Sequence, residues 1–380
     1  EIYTSLFVGS VRMCIRDRHF PDDERVYHRQ LVSLKKLGHT IHYYTRSNSE
    51  MDMSDELIIH KNYPATEYSV PKYLNILRKE FKVSLPKVLH IHEYHLLPLT
   101  RYTKRNYNSK VIYDVHEDLR VLSATFSTRH PSLQALTTSL RTHKERYYMR
   151  YVDQIVLSNP IIKDCIFKNW GFDPLVLQNY PSKLSISDSP NDGCRGNTVL
   201  YHGHLGPERG IQELTESILI LRRIIPDIFL TLLGNFRLPK FQDDVLSAID
   251  GTGLSDNIKW VKHVPHQDVW IYLNKTAVGV IPFQKNPLTM NNTPTKLFEF
   301  MASGCGIVSS DLPPVRHHVS ESIQWSYPGS AQSIADGLIK LLQNHRLLGN
   351  QARQNRSLIR NQFNWGSISN KLITLYKRLL

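Results

Sequence analysis

Little in this sequence can cross-link or hold a metal through sulfur. Its 380 residues include four cysteines, Cys14, Cys165, Cys194 and Cys305, far apart and without a Cys-x-x-Cys pair. That spacing argues against structural zinc and against a disulfide scaffold, and points to a reducing compartment. No apolar run approaches the roughly 20 residues that span a bilayer. The first residues lack an apolar core followed by a small-residue cleavage site, so no signal peptide is expected. Asp-x-Asp, HExxH, Walker-A and GxSxG motifs are all missing, as are internal repeats and low-complexity tracts. Acidic residues are in the minority: 34 Asp and Glu face 47 Lys and Arg, a net charge of +13. Most of this excess lies before residue 184. Nucleic acid, anionic lipid and phosphorylated substrates are the partner classes that such a charge attracts. No zinc finger or RRM-like aromatic pair is present, so nucleic acid is not expected. The run Arg141-Thr-His-Lys-Glu-Arg-Tyr-Tyr-Met-Arg-Tyr151 mixes cations and aromatics at helical spacing. It reads first as a solvated helix leading into the next strand, and as an alternative it suits an anionic membrane surface.

What is present is an alternation of short β-branched runs and amphipathic helices. An amphipathic helix, Val26 to Leu37, stops at Gly38 and precedes a strand at 39–45. Further strands are expected at 88–92, 111–115, 154–158 and 175–178. Residues 182–197 are rich in Ser, Asp, Gly and Pro and read as a linker. A second series follows, with strands at 197–201, 229–233, 258–261, 277–281 and 306–309 and a helix at 211–223. The fold class is therefore α/β, two doubly wound parallel-sheet (Rossmann-like) domains. The domains are expected at 1–183 and 197–364, joined by a linker at 184–196. A final helix at 365–380, apolar at Ile368, Leu372, Leu375 and Leu379, is expected to cross back to the first domain. The N-terminus is anomalous. The run Met13-Cys-Ile-Arg-Asp-Arg18 resembles a translated sequencing adaptor, and the chain opens on Glu1. The expectation is that roughly the first 18 residues are foreign sequence. They are too charged for a central strand, leaving the first strand missing or replaced by residues 5–8.

Three runs carry chemistry. Pro294-Thr-Lys-Leu-Phe-Glu-Phe-Met-Ala-Ser-Gly-Cys-Gly-Ile-Val-Ser309 reads as a helix start, a Gly304 stop and a buried strand. A helix start at Thr295, with Lys296 in its first turn, favours an anion such as a diphosphate. Glu299, one turn on, can accept hydrogen bonds from sugar or ribose hydroxyls. The second run is Tyr201-His-Gly-His-Leu-Gly-Pro-Glu-Arg-Gly210. Gly203 lets the backbone approach a ligand, and Arg209 can grip two phosphate oxygens or pair with Glu208 or Glu213. In Val111-Ile-Tyr-Asp-Val-His-Glu-Asp118, His116 follows a strand directly, where a sheet presents ligand-facing groups. His92 and Glu93 end the preceding strand. Asp23 and Arg25 open the first helix, where an Asp can serve as cap.

These runs resemble the family-4 retaining glycosyltransferases of the GT-B fold, in glycosyltransferase group 1. The resemblance implies two domains facing a cleft, with the nucleotide-sugar bound by the C-terminal one. It places Glu299 at the family's second glutamate, which contacts the ribose. Asn291 stands where the family has its first, sugar-contacting acid. His204 and Arg209 fall at the Arg and Lys of the "G-R-x-x-x-x-K-G" diphosphate clamp, with Gly203 at its glycine. His116 matches the His of "D-x-H-[DE]", near the donor sugar, and His19-Phe-Pro-Asp-Asp-Glu-Arg-Val26 matches a motif on the acceptor side. The implied set is thus His116, Arg209 and Lys296 as catalytic groups. Gly203, His204, Asn291, Thr295 and Glu299 join the two cations in binding donor, and Asp23, Arg25 and His92 lie towards the acceptor. The implied enzyme is metal-independent, with a nucleotide-diphosphate-sugar as co-substrate and no other cofactor. Its acceptor is a glycan or lipid-linked hydroxyl, and its place the cytoplasm or the inner face of its membrane. A nucleotide-sugar epimerase and a non-catalytic binding module are the rival functions.

Overall fold

The computed structural model describes residues 12–15, 21, 23–49, 55–116, 118–127, 130–162, 167–183, 186 and 195–380. The chain divides into two units, Glu1–Asn179 with Ile368–Leu380, and Tyr180–Ser367.

The first unit is built on seven strands: β1 Arg12–Ile15, β2 Ile41–Thr45, β3 Ile58–Asn62, β4 Val88–Ile91, β5 Lys110–Val115, β6 Gln154–Leu157 and β7 Leu175–Val176. Their order is β3-β2-β1-β4-β5-β6-β7, parallel throughout. β4 is buried at all four positions and β5 at five of six. This is why both are rich in Val, Leu and Ile, with the polar His90 and Asp114 buried among them: helices cover both faces of a parallel sheet. Tyr44, Tyr73, Phe81, Leu89, Ile91 and Val111 belong to one apolar core. Contrary to expectation, β1 occupies the centre of the sheet, with Arg12 to Ile15 in register against both β2 and β4. A parallel ladder is made by backbone N–H and C=O groups, so a charged sequence does not by itself bar a strand. Residues 1–11 and 16–20, which hold the rest of the suspected foreign segment, lie outside the described residues, as do Asp22, Cys165 and Cys194.

The second unit holds six strands: β8 Thr198–His202, β9 Phe229–Leu233, β10 Ile258–Val261, β11 Val278–Ile281, β12 Gly306–Ser310 and β13 Gln324–Ser326. The order is β10-β9-β8-β11-β12-β13, again all parallel. β11 and β12 are wholly buried. Helix Ala331–Leu342 packs against helix Ile211–Leu221. In each unit the polar residues of interest follow the carboxyl ends of central strands, where such sheets bind ligands.

The terminal helix Trp365–Leu379 runs from one unit into the other. Its Trp365 N–H donates to the Pro181 carbonyl at 2.8 Å. Further on, Tyr376 hydroxyl lies 2.8 Å from His90 Nδ1, and Arg378 donates to Gln154 at 2.7 Å. The other passage of the chain falls between Asn179 and Tyr180. Asn179 accepts from Arg29 in the first unit, while Tyr180 packs edge-on against Phe298 in the second, at 4.8 Å between ring centres.

Candidate functional site

The second unit gathers cations, a carboxylate and three imidazoles around the end of β8. Helix Thr295–Ser303 starts after Pro294 with no side chain capping its first turn, and Gly304 ends it at φ 72°. Lys296 and Glu299 share a face, three residues apart, and each is only 7% exposed. The Lys296 ammonium stands 3.5 Å from the centre of the Tyr201 ring and 5.2 Å from that of Phe283. Arg209 lies over the same Phe283 ring at 4.6 Å. Two cations thus converge on one aromatic ring, an arrangement that stabilises each modestly and leaves N–H donors for an anion. Arg209 also pairs with Glu208 at 3.4 Å, a carboxylate it shares with Arg237.

The loop between them demands glycine. Gly203 has φ 108°, and a Cβ there would sit 3.4 Å from Lys296 Nζ. Behind it, Gly234 has φ 142°, and its Cβ would come within 2.0 Å of the Gly203 carbonyl oxygen. The two backbones touch, which fixes the loop beside the ammonium.

Glu299 is oriented by one imidazole, with a second close by. His266 Nε2 donates to Glu299 Oε1 at 2.8 Å, and His202 Nε2 lies 3.4 Å from Oε2. Burial lowers the pKa of His202 to about 4, Lys296 and His266 adding to the effect and Glu299 opposing it. His204 is likewise lowered to about 4, by burial first and then by Arg237, Arg209 and Lys296. Both rings are neutral at pH 7, so His204 adds no fixed charge. Burial, then Arg209, also holds the Lys296 ammonium well below its ordinary pKa, with Glu299 and Glu208 opposing. An anion arriving between Arg209 and Lys296 reverses that penalty. Thr295 is exposed at the helix start. The Asn291 amide donates to the Pro287 carbonyl at 2.7 Å within a short helix, Pro287–Asn291.

The first unit has a different cluster at the ends of β4 and β5. Asp114 is fully buried, yet Arg25 donates to both its oxygens at 3.0 and 3.2 Å, and Gln30 to Oδ2 at 2.7 Å. Burial alone would raise the pKa of Asp114. Arg25, with His116 and His92, outweighs it and holds the carboxyl well below the usual range. His92 Nδ1 is 3.4 Å from Asp114 Oδ2 and 3.3 Å from His116 Nε2. His116, the more exposed of the two rings, is therefore steadied through His92 by a buried anion. His90 stacks on His92 at 4.4 Å and is pushed far down in pKa, by burial first. Ligand atoms of His90, His92 and Asp114 lie within 4.8 Å of one another. A guanidinium and an amide already donate to Asp114, and stacked rings do not aim their in-plane lone pairs at one point. The cluster is chemically a hydrogen-bonded relay rather than a cation cage.

Arg25 and Asp23 also take structural positions. Asp23 caps helix Glu24–Leu31 by accepting from the Val26 N–H at 2.9 Å. Arg25, read from sequence as acceptor-side, is 4% exposed and spent on Asp114 and the Leu177 carbonyl. A buried guanidinium needs a buried anion more than a passing ligand. His92 is also buried, at 2% exposure. Asp114, Gln30, His202, His266 and Phe283 escaped the sequence reading. Asp114 and His202 stood inside quoted motifs, but their partners lie far away in the chain.

Residues 186–361 match the family described as glycosyl transferases group 1. A stretch of 76 residues is 28% identical to TuaH of Bacillus subtilis (strain 168), named as a teichuronic acid biosynthesis glycosyltransferase; it covers 19% of this chain and 19% of that protein. The fold is similar to sucrose-phosphate synthase from Thermosynechococcus elongatus, with TM-score 0.76 and 16% identity over 97% of this chain and 99% of that one. It is also similar to HepE of Anabaena in complex with UDP-glucose, with TM-score 0.70 and 12% identity over 96% and 99%. The fold of this chain is GT-B.

Proposed function

We propose that this chain, whose residues 186–361 match glycosyl transferases group 1, moves a sugar from a nucleoside-diphosphate-sugar to a hydroxyl of a glycan or lipid-linked acceptor, with retention at the anomeric carbon. Its setting is polysaccharide or lipopolysaccharide assembly at the inner face of the cytoplasmic membrane. The observation that carries the donor side is the convergence of Arg209 and Lys296 on Phe283, beside an uncapped helix start and one turn from Glu299. Arg209, Lys296 and the amide of Thr295 hold the diphosphate beside Gly203 and the neutral His204. Glu299, held by His266, accepts from the ribose hydroxyls. Asn291 offers an amide to the sugar. In the first unit, His116 serves the sugar end, and His92 and Asp23 belong to the acceptor side.

In the proposed step the bond from anomeric carbon to phosphate oxygen breaks, and its electron pair leaves on the diphosphate. The acceptor oxygen bonds the carbon from the same face, and its proton passes to a departing phosphate oxygen. Arg209 and Lys296 take up the charge that develops, which is the kind of preorganised stabilisation that lowers barriers most. With two cations in that role the reaction needs no metal, and a chelator is expected to leave the rate unchanged.

A panel of nucleotide-sugars tests the reading by thermal shift, headed by UDP-sugars because the similar HepE was solved with UDP-glucose. A true donor at 100 times its dissociation constant adds about 2.7 kcal/mol. Labelled sugar from that donor then appears in an acceptor product. Epimerised donor formed without acceptor supports the epimerase instead, and binding without turnover supports a binding module. No stabilisation by any nucleoside diphosphate sinks the proposal.

A further inference from the structure

Helix Pro131–Met149 buries almost nothing of itself: of its 19 residues, Glu145 and Met149 are the buried ones. Leu133, Leu136 and Leu140 are 55%, 56% and 62% exposed, and Phe126, ending the helix before it, is 43% exposed. Spacings of three and four residues put the three leucines on one stripe. Continued along the helix, the stripe meets His143, Lys144 and Tyr147, all exposed. Single exposed leucines are ordinary, but an aligned set marks a contact surface.

The charges say which contact. Arg141, Lys144, Arg146 and Arg150 are exposed. The helix carries one acid, Glu145, and it points inward, within 3.4 Å of Arg120 NH1 and 3.3 Å of the Tyr113 hydroxyl. From the neighbouring helix Pro98–Tyr107, Arg101 donates to the Tyr147 hydroxyl at 2.9 Å. Apolar residues thus lead the helix and cations follow, with Tyr147 among the cations. Exposed leucines, cations and a tyrosine on one solvent-facing helix are side chains that suit an anionic lipid interface. A second copy of this chain offers no exposed carboxylate on this helix to meet the cations.

We infer that Leu133, Leu136 and Leu140, with Arg141, Lys144, Arg146 and Arg150, form a docking surface for an anionic lipid bilayer. This locates the membrane contact of the proposed function and rests on that reading for its purpose. Its test reads vesicle partition, not turnover, so either can fail alone.

The experiment is flotation of the whole chain with phosphatidylcholine vesicles, with and without an equal part of phosphatidylglycerol. Binding is expected to the anionic vesicles, weakening as salt is raised. Leu136→Glu with Leu140→Glu lowers partition by on the order of tenfold. Lys144→Glu lowers it by about fivefold or more, as expected for a cation at an anionic surface. Both variants change exposed side chains, and an unchanged thermal midpoint shows that they fold. Wild-type chain that fails to float with anionic vesicles overturns the inference, as does equal flotation of the leucine variant. A concentration-dependent dimer that Leu136→Glu abolishes, without vesicle binding, assigns the surface to a second copy and also overturns it.

Discussion

The two units place charge in opposite ways. In the first, the central anion Asp114 is answered before any ligand comes, by Arg25 and Gln30. In the second, Lys296 and Arg209 rest on aromatic faces, and burial together with their mutual repulsion weighs on Lys296. A satisfied buried charge gives rigidity, because removing either partner strands the other. A strained cation pair stores affinity, because an incoming anion relieves what folding imposed. One unit therefore uses its charge to position histidines, and the other to await a phosphate.

Three changes break or sharpen this contrast. The largest effect is expected from Arg25→Met. It leaves Asp114 buried and uncompensated and costs about 3–5 kcal/mol of stability, read from the urea midpoint. Nucleotide binding by the second unit persists at temperatures where that unit remains folded. An unchanged midpoint would mean that Asp114 simply takes up a proton, and the contrast fails. Next is Arg209→Ala, which weakens donor binding by about 1.5–3 kcal/mol in calorimetry, the worth of a hydrogen bond to a charged group. Because Glu208 keeps Arg237 as a second cation, the thermal midpoint without ligand moves little. Donor affinity equal to wild type refutes the phosphate role.

The smallest effect is on pH. Burial first of all lowers His202 and His318 of the second unit, and His60 of the first, to about 4. The unfolded chain binds these protons near pH 6.5, and the folded chain resists them. Stability is therefore full above pH 6.5 and falls as pH drops towards 4. The melting temperature should fall by several degrees across that window, and His202→Gln should make the slope shallower. Asp114 has the same sign but a lower window: its contribution is held above the ordinary carboxylate range and lost only in stronger acid. A melting temperature flat from pH 7 to 4 contradicts the assignment.

The second sheet is almost wholly legible in sequence, with strands at 229–233 and 258–261 matched to the residue. Its central strands are largely buried, so each carries a local run of apolar residues. β3 and β13 went unread for the converse reason. β3 is an edge strand whose alternate residues face out, and β13 has three residues. β1 was dismissed on charge, though its place is fixed by ladders on both sides. The cations of the second unit could be read because Arg209 and Lys296 lie in short local motifs. The partners that tune them could not: His266 stands 33 residues from Glu299. The Arg25 and Asp114 pair spans 89 residues. No local pattern shows that a helix-start arginine will be drawn into the sheet's carboxyl end.

The contact between Gly234 and the Gly203 carbonyl has a practical bearing on how variants of this chain are read. A single methyl at Gly234 has nowhere to go, since it meets main chain and not a pliable side chain. Replacing Gly234 by alanine would shift the turn beneath the ammonium and silence the protein as surely as losing a ligand contact would. A saturation library scored only by function would colour Gly234 as substrate-binding, although its whole task is to be small.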